Sequence, residues 1–99
     1  MDMTDHIPFG RANAITAKEL AARAGYSDVR SLQQDIHNLR VKGALILSAT
    51  EQPQGYFRPD GDDKHEVRHF LRSMRSRARE IEAAARSAEA YLREQGASD

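Results

Sequence analysis

Among its 99 residues the chain has no cysteine, which excludes disulfides, thiolate nucleophiles and cysteine-ligated zinc and suits a reducing compartment. It has no long hydrophobic run. The longest, Ala44–Leu47, is far too short to span a bilayer, so no membrane partner is expected. The first residues carry Asp2 and Asp5 with no apolar stretch, unlike a secretory signal, and a cytoplasmic location is expected. The chain has no net charge, because 15 Lys and Arg balance 15 Asp and Glu. A non-specific nucleic-acid binder is usually basic, so that class is disfavoured, while a sequence-specific reader stays open if charge is unevenly spread. Here the spread is uneven: Val67 to Arg79 carries Arg68, Arg72, Arg75, Arg77 and Arg79 and no acid. From Glu80 onward Glu80, Glu82, Glu89, Glu94 and Asp99 outnumber Arg86 and Arg93. Glycines are scattered, with no phosphate-cradling loop, and no Ser-His-Asp set has a supporting motif. Neither enzymatic activity nor a cofactor is expected.

What is present is concentrated between Ala14 and Phe57. Ala14-Ile15 is a stub of strand, and Thr16 followed by Glu19 is the capping-box pattern of a helix start. A short helix, Ala17 to Ala24, turns Leu20 and Ala21 inward and stops at Gly25, which takes the left-handed stop conformation without penalty. Tyr26 and Ser27 make a turn, and Ser27 is placed to cap a second helix from Asp28 to about Lys42. Two helices so joined are the helix-turn-helix unit. Leu45-Ile46-Leu47 and Gly55-Tyr56-Phe57, separated by polar Ala49 to Gln54, read as a hairpin. On the second helix Val29, Leu32, Ile36 and Leu39 form the core side. Arg30, Ser31, Gln34, His37 and Asn38 form the opposite side, with Val41 beyond them. Arg can contact guanine bidentately, and Gln or Asn adenine, so these residues with Lys18, Ser27 and Lys42 are the candidate DNA-binding set. An amphipathic helix with a merely solvated outer face is the plainer alternative.

Pro59-Asp60-Gly61-Asp62 is a breaker stretch, and Asp63 with Glu66 again resembles a helix start. From Lys64 to about Gln95 there is neither Pro nor Gly. Val67, Leu71, Met74, Ala78, Ile81, Ala85, Ala88 and Leu92 follow alternating steps of four and three, with Phe70 beside the stripe. Such a helix is about 45 Å long and outlasts a body on the order of 25–30 Å across. These residues are the candidate oligomerisation seam of a homodimer. Antiparallel tails are expected, because they set Arg68, Arg72, Arg75 and Arg79 against Glu82, Glu89 and Glu94. A tail folded back on its own domain is the alternative. The arginine run admits three readings: a solvated face, a partner-matching face and a phosphate-contacting face.

His65-Glu66-Val67-Arg68-His69 matches the zinc-protease pattern letter for letter. No third ligand follows, and Lys64 and Arg68 place positive charge beside the would-be cation, so no metal site is expected.

Ile7-Pro8-Phe9-Gly10-Arg11-Ala12-Asn13-Ala14-Ile15-Thr16-Ala17-Lys18-Glu19-Leu20 resembles the opening of small winged-helix proteins encoded by bacterial phages and prophages. Gly43–Ser48 and Gly55–Pro59 resemble their two wing strands, and Leu71–Ile81 their arginine-rich tail helix. The resemblance implies a short first helix ending at a Pro and Gly, and predicted DNA binding. Thr50-Glu51-Gln52-Pro53-Gln54 departs from a strongly basic wing in offering no Lys or Arg to phosphate.

The expected architecture is mainly α with a small β-hairpin: a winged helix-turn-helix domain over 1–60, then a long C-terminal amphipathic, coiled-coil-like helix over 61–99. The expected function is that of a dimeric, sequence-specific reader of double-stranded DNA, a small phage or prophage transcriptional regulator. The alternative is a protein-binding module of the same fold, for example a phage-encoded inhibitor of a host defence complex.

Overall fold

A computed structural model describes residues 2–96. It is mainly helical, with one two-stranded antiparallel hairpin. The elements are α1 (Ala17–Ala24), α2 (Val29–Val41), β1 (Leu47–Ala49), β2 (Gly55–Phe57) and α3 (Lys64–Glu94). The chain groups into a compact unit through residue 68 and a second unit from His69 on. No helix among the described residues is long and apolar enough to cross a membrane.

The N-terminal segment is irregular. In place of the first helix implied by the resemblance there is one 3-10 turn, Met3–His6, and a second follows at Arg11–Asn13. Between them Pro8 and Gly10 run beside the chain after β2: Arg58 N–H donates to the Pro8 carbonyl and Gly10 N–H to the Arg58 carbonyl. Ile15 then pairs with Tyr56 through both backbone hydrogen bonds, at 3.1 and 2.7 Å. β2 is thus bounded by β1 on one edge and by the Ile15 stub on the other, which satisfies backbone groups that a lone hairpin would leave to water.

α1 begins where its sequence signal places it. Thr16 Oγ1 accepts from Glu19 N–H at 3.1 Å, while the Glu19 carboxylate turns to Arg23 instead of closing the capping box. α1 ends at Gly25, whose φ of 80° is left-handed. The cap of α2 differs from expectation. Asp28, not Ser27, accepts from Ser31 N–H, at 2.7 Å. Its carboxylate oxygen reaches the third amide from the cap position, whereas Ser27 stands one residue too early for that geometry.

Leu20, Ala21, Leu32 and Ile36 from the two helices close on Met3, Ile7, Ile15 and Ile46 to form the core. Val29, Leu39 and Tyr26 pack at its margin. Leu47 and Phe57, paired across the hairpin, are also buried. The first strand starts later than expected. Leu45 lies outside β1 and is 46% exposed, because Gly43 and Ala44 still belong to the turn that closes α2.

Asp63 stands directly before α3, where its spacing to Glu66 places a helix start. Its carboxylate does not cap α3 but accepts the backbone N–H groups of Arg11 and Asp60, at 3.0 and 3.1 Å, and is buried in doing so. Arg11 also lies 4.0 Å from Glu66. The beginning of α3 is therefore fastened to the N-terminal segment across more than fifty residues of sequence.

Candidate nucleic-acid interface

α2 has two sides of opposite character. Leu32 and Ile36 are buried and Val29 and Leu39 half-buried, as the apolar spacing predicts. At about 100° per residue, Arg30, Ser31, Gln34, His37, Asn38 and Val41 fall within an arc of about 120° on the other side. All six are exposed, and Val41 is 74% exposed. This arc combines a guanidinium, two amides, an imidazole, a hydroxyl and one methyl-bearing apolar side chain. Those groups match the base-edge donors and acceptors, and the thymine methyl, of a major groove.

Some of these side chains already have local partners. Gln34 Nε2 donates to Asn38 Oδ1 at 3.3 Å, which aligns the two amides along the helix. Ser31 belongs to the cap of its own helix: its amide, then its hydroxyl, hold the Asp28 carboxyl below the usual carboxylate range. A fixed negative charge therefore stands at the start of α2, where it complements the helix dipole.

The remaining candidates are spread over neighbouring elements. Lys18 is exposed on α1, and Ser27 is exposed in the turn with its hydroxyl 3.5 Å from Asp28 Oδ2. Lys42 is exposed at the C-cap of α2. His65 and His69 of the protease-like motif are both exposed on α3. Among the described residues no cluster of three or more His, Asp or Glu could hold a metal.

Three arginines of the N-terminal unit have structural employment that the sequence did not signal. Arg11 donates through Nη1 to the Pro53 carbonyl at 2.8 Å and through Nη2 to the Glu51 carbonyl at 2.9 Å. Arg40, half-buried, donates through Nε to the Ile46 carbonyl at 2.8 Å and lies over the Tyr56 ring. Arg58 donates to the Ile7 carbonyl at 2.8 Å and stacks 4.0 Å above the Phe9 ring centre. Arg40 and Arg58 are thus positioned as braces between segments. The turn and α2 are tied by Tyr26, whose hydroxyl donates to Asp35 at 2.5 Å.

The candidate seam on α3 is largely uncovered. Leu71, Ala78, Ile81, Ala85, Ala88 and Leu92 are exposed, and Val67, Phe70 and Met74 are half-buried. Comparison with protein families, with curated proteins and with solved structures gives no match.

Proposed function

We propose that the chain is a winged helix-turn-helix protein that reads double-stranded DNA through α2, a small transcriptional regulator of the phage and prophage kind acting in the bacterial cytoplasm. One observation carries this reading: α2 buries one side in the core and exposes Arg30, Gln34, His37, Asn38 and Val41 together on the other. A helix held so by a partner helix and a tight turn can enter a major groove with those side chains against base edges. The hairpin is the wing in this reading. Its tip carries no cation, so it contributes shape more than phosphate affinity.

A second reading is favoured by charge. Through residue 68 the chain has nine Lys and Arg against ten Asp and Glu, and Arg11, Arg40 and Arg58 are held on backbone carbonyls. That surface also suits a protein partner. Selection from a randomised duplex pool separates the two. A DNA reader enriches a defined motif; a protein-binding module enriches none.

A further inference from the structure

The seam of α3 has an internal pattern that specifies its occupant. No described residue of α3 is buried, and Leu71 and Ile81 are 45% and 71% exposed. Large side chains dominate the first half of the seam (Leu71, Met74) and alanines the second (Ala85, Ala88). We propose that α3 pairs with α3 of a second copy of this chain, antiparallel, with Ala78 opposite the partner's Ile81.

That one contact fixes every other layer. Met74 meets the partner's Ala85, Leu71 meets the partner's Ala88, and Val67 meets the partner's Leu92. Nearly every layer then sets one large side chain against one alanine, so the two helices keep an even separation along the seam. A parallel pair in register stacks Leu71 on the partner's Leu71 and Met74 on the partner's Met74 at one end. It stacks alanine on alanine at the other, which cannot be filled at one helix spacing.

The flanking charges select the same register independently. The residues that follow Val67, Met74, Ile81 and Ala88 are Arg68, Arg75, Glu82 and Glu89, all exposed. In an antiparallel pair this flank faces its own counterpart. Arg68 then neighbours the partner's Glu89 and Arg75 neighbours the partner's Glu82, and the two-fold axis repeats both contacts. Sliding by one heptad brings Arg75 onto the partner's Arg75, or Glu82 onto the partner's Glu82. Arg72 and Arg79 fall outside this flank and take no part. Glu89 is 3.9 Å from Arg93 of its own helix, an exposed contact too weak to withhold it. The pairing does not rest on the DNA reading and stands or falls separately from it.

The full-length chain tests this directly. Sedimentation equilibrium at tens of micromolar is expected to give a dimer; a monomer overturns the proposal. Because the chain has no cysteine, Leu71→Cys and Ala88→Cys each supply a single thiol. Under mild oxidation the mixture of the two variants is expected to cross-link, and neither variant alone. Cross-linking of either alone, or none in the mixture, overturns the orientation or the register. Arg75→Glu and Glu82→Arg are each expected to weaken dimerisation about tenfold, and the double variant to restore it. Circular dichroism checks that the helix persists in each variant, and failure of the swap to restore dimerisation contradicts the charge pairing.

Discussion

The Tyr26 hydroxyl donates to the Asp35 carboxylate, joining the turn after α1 to the middle of α2. The phenol is consequently pushed up to about 12, first by that hydrogen bond, then by burial and the Asp35 charge. The folded state favours the protonated phenol. This contribution is present in full below the ordinary tyrosine value of 10.0 and is lost as pH rises toward 12. Tyr26→Phe is expected to cost about 1 kcal/mol at neutral pH. It should also remove one phenol from the ultraviolet titration at the alkaline extreme, and an unchanged titration above pH 11 contradicts the assignment.

Gly55 is expected to be the least replaceable residue of the hairpin. Its φ is 120°, and an added Cβ would stand 1.7 Å from the Ile15 carbonyl oxygen, inside the backbone pairing of Ile15 with Tyr56. Gly25 also has a positive φ, of 80°, but nothing lies within 4 Å of its Cβ position. Gly25→Ala should therefore cost only about 1–2 kcal/mol of left-handed strain. Gly55→Ala should cost more than about 4 kcal/mol, because backbone must move. Urea unfolding of the two variants checks the order.

Arg11 is expected to hold the hairpin loop. Arg11→Ala removes both donors from the Glu51 and Pro53 carbonyls and should raise hydrogen exchange and protease cleavage around residues 50–54. Arg11→Lys should not restore protection, because a point ammonium cannot reproduce the fork. Equal protection in all three proteins contradicts this role.

What the sequence made legible was local. Thr16 and Gly25 bound α1, the apolar spacing of Val29, Leu32, Ile36 and Leu39 orients α2, and the absence of Pro and Gly runs α3 to Glu94. Each signal lies within a few residues of the structure it sets. What the sequence did not show depends on side-chain partners and backbone geometry. Asp63 marks the start of α3, but nothing near it in sequence signals its carboxylate's partner, the Arg11 amide 52 positions away. Arg58 finds its carbonyl on Ile7, 51 positions away, and Arg40 finds one on Ile46, across the turn after α2. Ser27 and Asp28 are both good cap residues, and backbone geometry chose between them. The exposed side of α2 was visible as a period of polar residues; which cations stayed available beside it was not.

Under the proposed function, that availability sets the salt dependence of binding. With Arg40 and Arg58 held on carbonyls and Arg23 paired with Glu19, the remaining exposed cations of α1, α2 and its C-cap are Lys18, Arg30 and Lys42. Log affinity against log salt should have a slope of about −2 to −3 per protomer. A much steeper slope would show that the tail arginines also meet phosphate.

The most direct measurement is a titration of Arg30→Ala and Gln34→Ala against the duplex motif that the native chain selects, by fluorescence anisotropy at fixed salt. Each variant is expected to stay folded, since both side chains are exposed. Each should lose about 1–3 kcal/mol of binding free energy and relax specificity at one base pair. Native affinity and native specificity in both variants would contradict the reading of α2 as the DNA-recognition helix.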